Sequence, residues 1–288
     1  MRSSALINTM FSFLKKKKPD EKKHAEAIFS DDSFDDAQDI FDLFTSVTGM
    51  HFHKKEPITK EKIKNFCLRH DIHGFKQLNV LLEKEPSLMQ DLIDYLTVNE
   101  TYFFREIEQI RLLERFVKEA DDTVHILCAP CSSGEEVYSI IIHLLEAGIP
   151  KEKFRIAGID INASAIQKAQ KGLFSERSVN RVDDHLRKKY FYNEGSTYQI
   201  NPNLAAMASF RVENIFSETF PSLGKFDFIF SRNLFIYFDA TEKRRAVERF
   251  CSMLHPKGHV FFGHADIFDD PVCLISEFMG RTKVYKKN

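Results

Sequence analysis

Apolar positions recur with a helical period in the first third of the chain. Leu88, Leu92 and Leu96 follow one another at a spacing of four residues, and no strand-like alternation occurs between residues 37 and 97. An apolar stripe of this kind is typical of a helix that packs one face against a core. We therefore predict a small all-α amino-terminal domain over residues 37–97.

From Thr123 onward, short apolar runs alternate with helix patterns. The runs with the length of buried strands are Val124–Cys128, Phe154–Ile161 and Phe226–Phe230. An amphipathic helix pattern follows the first run over Glu135–Leu145, and Thr241 is placed to cap the helix after the third. This alternation predicts an α/β domain over residues 98–288 with a doubly wound, mostly parallel sheet.

The alternation is interrupted between Phe174 and Phe210. Within this stretch, Tyr198–Ile200 and Ser209–Val212 have the pattern of two short strands. We therefore predict that they form a small antiparallel hairpin, inserted into the sheet domain at about residues 174–212.

Composition and charge exclude several classes of protein. The 288 residues include 41 basic and 42 acidic side chains, so a globally basic nucleic-acid binder is excluded and no nucleic-acid partner is expected. No apolar run approaches the roughly 18 residues of a membrane span. The 5 cysteines are an odd number, which argues against a disulfide-scaffolded secreted domain and favours a cytoplasmic protein.

Residues 1–36, which contain the block Lys15–Lys18, are predicted to form a disordered tail.

Three predicted strand ends contain residues suited to a nucleoside ligand. A turn of small residues, Ser133-Gly134, leads from the first strand into a helix. Asp160 lies near the end of the second strand, and Asn233 follows the third. Ligands of doubly wound sheets bind at such strand ends, and an acidic residue about 20 residues beyond the turn commonly holds ribose hydroxyls. We expect Asp160 to have this role.

The turn argues against the commonest nucleotides. It contains neither the G-x-x-x-x-G-K-[ST] motif of nucleoside triphosphate sites nor G-x-G-x-x-G. Glu135 and Glu136 would repel a pyrophosphate but suit the ammonium and sulfonium groups of S-adenosylmethionine.

The pair Cys128 and Cys131 also matches a thioredoxin-like C-x-x-C, although redox chemistry would leave Asp160 and Asn233 unexplained. The histidines are scattered, and no metal site is predicted.

Four ordered sequence blocks resemble the chemotaxis receptor methyltransferases, the CheR family. The blocks are Leu96–Glu106, Ser133–Ser139, Ser231–Asp239 and Phe262–His264, and the match spans about residues 40–286. The resemblance implies a Rossmann-like, S-adenosylmethionine-dependent methyltransferase domain with a small inserted antiparallel β-subdomain, preceded by a helical domain. It also implies the activity, which is the esterification of glutamate side chains on the cytoplasmic helices of chemoreceptors.

The resemblance further implies the site residues. Those expected to bind the cofactor are Asn99, Thr101, Arg105, Glu136, Asp160, Asn214, Ile215, Asn233 and Leu234. Within this set, Glu136 would contact the methionine or ribose part, and Asn214 with Ile215 would flank the adenine. The residues expected to act in catalysis are Arg105, which would guide the substrate carboxylate as a bidentate donor, and Tyr237.

The predicted reaction needs no general base, because a glutamate with a pKa near 4.3 is already ionised at pH 7. Two opposite charges are neutralised when the carboxylate attacks the sulfonium methyl, so alignment and exclusion of water can supply much of the acceleration.

Some positions depart from the family pattern. Val137 stands where the family usually has proline, and Ala265-Asp266 stand where Ser-Glu usually follows the Gly-His pair. The basic residues of the helical domain are mostly lysines, and Lys60, Lys62 and Lys64 motivate the hypothesis that it docks acidic receptor helices.

We expect a monomer. Two alternatives to the glutamate methyltransferase stay open, namely a methyltransferase of another acceptor and a signalling adaptor that binds S-adenosylmethionine without turnover.

Overall fold

The computed structural model describes residues 34–52, 56–268 and 272–288, so most of the predicted tail lies outside the described residues. Amphipathic helices form the amino-terminal part: α1 (Gln38–Thr48), α2 (Glu56–Arg69), α3 (Phe75–Lys84) and α4 (Pro86–Leu96). Pro86 stands at the start of α4, where a missing N–H costs no hydrogen bond. The buried faces of these helices share one apolar cluster with one side of the sheet that follows.

The carboxyl-terminal part is built on a sheet whose described strands have the order β6-β2-β1-β7-β8-β10-β9. These strands are β1 (Val124–Cys128), β2 (Phe154–Asp160), β6 (Ala208–Val212), β7 (Phe226–Ser231), β8 (Leu254–Phe262), β9 (Leu274–Met279) and β10 (Thr282–Lys287). Neighbours from β6 to β8 are parallel, and β10 runs antiparallel to both β8 and β9. The predicted α/β class with a mostly parallel sheet is confirmed.

Helices cover both faces of this sheet. They are α5 (Ile107–Glu119), α6 (Glu135–Glu146), α7 (Ala163–Lys171) and, after β7, α11 (Ala240–Met253). The pattern over Glu135–Leu145 therefore predicted α6 to within one residue. Thr241 was wrong as the cap of α11, because the carboxylate of Asp239 accepts the N–H groups of Thr241 and Glu242 at 2.8 and 3.0 Å. Among the described residues, no helix is long and apolar enough to cross a membrane.

A second, three-stranded antiparallel sheet lies between α7 and β6. Its strands are β3 (Leu173–Ser175), β4 (Phe191–Glu194) and β5 (Thr197–Ile200), in the order β3-β5-β4, with the short helices α8 (Glu176–Val179) and α9 (Asp184–Tyr190) between β3 and β4 and α10 (Pro202–Ala205) after β5. Phe103 lies edge-on to Phe174 and Phe191, at centroid distances of 4.8 and 5.0 Å. This contact fixes the insert against the segment that joins the helical part to α5.

The hairpin prediction was wrong for Ser209–Val212. The strand Ala208–Val212 pairs in parallel with β2 and is an edge strand of the main sheet. An edge strand with exposed positions has the same alternating pattern as a hairpin strand, so the local sequence did not distinguish the two. β9, which lies beyond the described gap at 269–271, was not predicted.

One cysteine pair is joined in the structure. Cys251 on α11 and Cys273 before β9 form a disulfide, with a sequence separation of 22 residues. The other cysteines, Cys67, Cys128 and Cys131, are buried thiols. Cys128 and Cys131 of the C-x-x-C motif are therefore reduced in this structure. The odd number of cysteines did not predict the single disulfide near the carboxyl terminus.

Candidate functional site

A cavity opens at the carboxyl ends of β1, β2 and β7, where the order of the parallel strands changes direction. The residues that line it include the predicted Asn99, Thr101, Arg105, Glu136, Asp160, Asn233, Leu234 and Tyr237. An adjoining slot contains the remaining two, Asn214 and Ile215. The structure thus brings all the predicted residues around one continuous space, and which of them contact a cofactor stays a prediction.

Asp160 connects the end of β2 to the turn after β1. Its carboxylate accepts the backbone N–H of Ser132 at 2.8 Å and that of Asn162 at 2.9 Å. Burial raises the pKa of Asp160 to about 6, against the lowering effect of these N–H groups. Each oxygen keeps a lone pair for a further donor, so a pair of hydroxyls could bind here.

Arg232 is a site residue that the sequence analysis missed. It is 6% exposed, its Nε donates to the carboxylate of Glu136, and its Nη1 donates to the backbone oxygen of Arg105 at 2.6 Å. One buried guanidinium therefore joins the start of α6 to the segment before α5. The sequence offered one indication of its role, which is that Arg232 precedes Asn233 within the block Ser231–Asp239.

The two glutamates of the turn differ in role. Glu135 points away from the cavity, because its carboxylate accepts the hydroxyls of Ser133 and Ser178 at 2.8 and 3.0 Å. Glu136 lines the cavity, and its Oε1 is buried and finds no hydrogen-bond partner among the described residues. The same holds for the hydroxyl oxygen of Ser132. A ligand that brings an ammonium group or hydroxyls would satisfy these acceptors.

The adjoining slot is apolar and suits a flat ring. Ile215, Leu234 and Phe238 contribute to its walls, together with Met50 from the segment after α1. Both ends of the Asn214 amide already have partners within the protein. Its Nδ2 donates to the backbone oxygen of Val47 at 2.7 Å, and its Oδ1 accepts the Phe216 N–H at 2.8 Å. The side chain of Asn214 thus joins the wall of the slot to α1. The sequence did not reveal that the helical part contributes to this wall.

Arg105 and Tyr237 lie at the same cavity. The guanidinium of Arg105 donates to the backbone oxygen of Glu100 at 3.1 Å and lies 5.7 Å from the ring centroid of Tyr102. Burial raises the pKa of the Tyr237 hydroxyl, and the nearby charge of Arg105 partly offsets the shift. Tyr237 is therefore a protonated donor at neutral pH, beside a permanent positive charge.

Asp266 holds the turn after β7. Its carboxylate accepts the N–H groups of Asn233, Phe235 and Gly263 at 2.5, 2.8 and 2.9 Å. Asn233 has a left-handed backbone with φ 60°, a conformation that the bond to Asp266 stabilises. Asp266 stands at a position where the sequence departs from the family pattern, and this departure was the one feature that drew attention to it.

A polar group outside the cavity could hold a metal ion. His51, Asp239 and Glu242 each offer one ligand atom, and these atoms lie within 4.8 Å of one another. The backbone N–H of His51 also donates to the backbone oxygen of Tyr237 at 2.8 Å. The group joins the segment after α1 to the start of α11.

Comparisons with known proteins agree on one family. Residues 99–280 match the family model described as "CheR methyltransferase, SAM binding domain". The "Chemotaxis protein methyltransferase" of Campylobacter jejuni (strain 81-176) is 35% identical over 246 residues, which cover 85% of this chain and 93% of that protein. "Chemotaxis protein methyltransferase 2" of Vibrio cholerae is 39% identical over 264 residues, covering 85% and 90%.

Among solved structures, the magnesium protoporphyrin IX methyltransferase of Synechocystis PCC 6803 aligns with 62% of this chain and 76% of its own, at 10% identity and a TM-score of 0.34.

Proposed function

The chain belongs to the CheR family of S-adenosylmethionine-dependent methyltransferases, and on that premise we propose that it converts glutamate side chains of chemoreceptors to methyl esters. The observation that supports this acceptor best is the position of Arg105. Arg105 and Tyr237 line the cavity that also contains Glu136 and Asp160, and the charge of Arg105 is near enough to lower the pKa of Tyr237 against the larger effect of burial. A fixed positive charge next to a protonated hydroxyl is a suitable receptor for a carboxylate.

The residues of the cavity fit the cofactor. Bound S-adenosylmethionine supplies a methyl group made electrophilic by its sulfonium. Asp160 can accept from the ribose hydroxyls, and the free Oε1 of Glu136 can accept from the ammonium group. The apolar slot at Ile215 and Leu234 can take the adenine.

The remaining residues align the acceptor. The substrate glutamate arrives ionised, since its usual pKa is about 4.3, so no residue has to remove a proton. Arg105 would hold one or both carboxylate oxygens, and Tyr237 would donate its hydroxyl to the same group. Arg232 fixes the backbone of Arg105 and thereby the direction from which the carboxylate approaches.

Receptor docking would involve the lysines of α2. Two of its lysines already have contacts inside the chain, because Lys60 donates to the backbone oxygen of Asp35 at 2.5 Å and the Lys64 ammonium lies 5.6 Å from the Phe34 ring centroid. Charge reversal at Lys62 should therefore raise the KM for receptor more cleanly than charge reversal at either neighbour.

The direct experiment combines the full-length protein, S-adenosylmethionine labelled in the methyl group, and membranes that contain a chemoreceptor of the same organism. Methyl esters release volatile methanol in alkali, whereas N-methyl groups do not. Alkali-labile label on the receptor is expected. Its absence, with cofactor binding intact, would contradict the proposal and favour another acceptor or an adaptor that binds the cofactor without turnover.

A further inference from the structure

A second cavity lies next to the first, on the other side of the chain segment that contains Arg105. It is bounded by the start of α5, the end of β8 and the β9–β10 hairpin. Its polar lining includes Glu106, Gln109, His264 and Asp266 and also the basic residues Arg281 and Lys283. Its aromatic lining includes Phe262, Phe268 and Tyr285. Glu106 and Phe262–His264 belong to the sequence blocks named above, but neither the predicted cofactor contacts nor the proposed mechanism uses this cavity.

Two buried acceptors of this cavity make no hydrogen bond among the described residues, although one of them is paired with a histidine. Gln109 is only 4% exposed, and its Nε2 donates to the Phe262 oxygen at 2.7 Å, which fixes the orientation of the amide. Its Oε1 finds no hydrogen-bond partner among the described residues, and neither does Oε2 of Glu106. Buried acceptors are rarely left without donors, so a ligand of this cavity has to bring N–H or O–H groups.

Two carboxylates of this cavity lie near each other. Burial raises the pKa of Asp266, and the charge of Glu106 adds a smaller effect in the same direction. The three backbone N–H groups on Asp266 already occupy its oxygens, so the repulsion between the two carboxylates is relieved best by a cation near Glu106. The imidazole of His264 lies 3.5 Å from Oε2 of Glu106, but it is 83% exposed and leaves room for an entering group.

The aromatic side is compatible with the same kind of ligand. The ammonium of Lys283 lies 4.7 Å from the Tyr285 ring centroid, so a cation already rests against this wall. Phe262 and Phe268, with a centroid distance of 4.6 Å, add an apolar surface that suits an aliphatic stem.

We infer that this cavity binds a lysine or arginine side chain of the protein substrate, next to the glutamate that receives the methyl group. The inference rests on the proposed function. Arg105 faces the first cavity and Glu106, the next residue, faces the second. Residues three or four positions apart on a helix have Cβ atoms about 5–6 Å apart, so one substrate helix can place a glutamate and a basic residue in adjacent sites.

The test uses the cytoplasmic fragment of a receptor in which a methylated glutamate has been mapped. Lysine or alanine is placed three or four positions before or after that glutamate, and kcat/KM is measured for each fragment. For at least one position we expect the lysine fragment to be at least fivefold better than the alanine fragment. Glu106→Gln should abolish this preference while leaving the Kd for S-adenosylmethionine unchanged. Glu119→Gln, at the far end of α5, is the matched control and should keep the preference.

Equal kcat/KM for all fragments with the wild-type protein would overturn the inference, as would a preference that survives in Glu106→Gln. Saturable binding of n-butylammonium without any preference among the fragments would assign the cavity to a free amine and would also overturn it. If the wild-type protein labels no fragment, the native sequence included, the proposed function fails and the inference fails with it.

Discussion

The carboxylate of Asp160 accepts the N–H of Ser132 at 2.8 Å, which joins the end of β2 to the turn that follows β1. The same carboxylate is the expected partner of the ribose hydroxyls, so we propose that one buried group both shapes the cavity and binds the cofactor. Its pKa of about 6 places its protonation just below neutral pH. Cofactor binding should therefore depend on pH in a defined direction.

We predict that the Kd for S-adenosylmethionine rises as the pH falls from 7 to 5. The folded pKa of Asp160 is raised from 3.8 to about 6, so the ionised acceptor is present above pH 6 and is lost below it. One proton changes the affinity by up to about tenfold per pH unit. Calorimetry across this range measures the effect, and Asp160→Ala should weaken binding at pH 7 by at least tenfold and flatten the profile. A wild-type Kd that is independent of pH would contradict the prediction.

Arg105→Ala should lose methylation far more than cofactor binding. The guanidinium is the proposed guide of the carboxylate, so we expect kcat to fall by about 100-fold or more while the Kd for S-adenosylmethionine stays within about threefold. Arg105→Lys retains the charge but not the bidentate geometry and should lie between the two. Equal losses of turnover and cofactor affinity would instead make Arg105 a cofactor ligand only.

The sequence predicted the strand ends well because polar residues interrupt apolar runs where β1, β2 and β7 end. That break placed Asp160 and Asn233 at the ends of β2 and β7, and their order along the chain indicated a shared site. The pair formed by Arg232 and Glu136 could not, because its members are 96 positions apart and nothing local marks them as partners. The strand Ala208–Val212 was misplaced for a related reason, since the choice between an insert and an edge strand depends on pairing with the distant β2.

Gly263→Ala should weaken the turn after β7. A Cβ at this position would lie 2.8 Å from Oδ2 of Asp266 and 3.1 Å from the backbone nitrogen of Asn233, both part of the same hydrogen bond. We expect the Kd for S-adenosylmethionine to rise by about tenfold because the Asn233 turn shifts. Asp266→Asn, which removes one acceptor oxygen from the same group, should have a similar effect. Unchanged affinity in both variants would show that this turn does not position the cofactor.

Reduction of the disulfide between Cys251 and Cys273 should destabilise the protein without affecting the cavity. The bond closes a loop of 22 residues between α11 and β9, and a loop of this size stabilises the folded state by roughly 3 kcal/mol through the unfolded chain. We expect the urea midpoint to fall in reducing agent while the Kd for S-adenosylmethionine stays constant. The double variant Cys251→Ser, Cys273→Ser is the control, and its midpoint should not respond to the reductant. If the urea midpoint of the wild-type protein is the same with and without reducing agent, the disulfide does not stabilise the fold.

Arg232→Met should be among the most destabilising substitutions near the site. It would leave the carboxylate of Glu136 buried without its cation, and removal of one partner of a buried ion pair costs about 3–5 kcal/mol. Adding Glu136→Gln should recover much of this loss, because the remaining buried group is then neutral. Urea unfolding of the two single variants and the double variant gives the coupling energy.

The matched control for Arg232→Met is Arg177→Met, which removes an exposed ion pair with Glu100 and should cost less than about 1 kcal/mol. If Arg232→Met costs no more than this control, the pair does not stabilise the fold. If Glu136→Gln alone keeps methylation, and the folded double variant has lost it while it still binds S-adenosylmethionine, Arg232 acts through the backbone of Arg105. That result is expected, because the hydrogen bond from Nη1 to the Arg105 oxygen is absent from the double variant while Asp160 and the apolar slot remain.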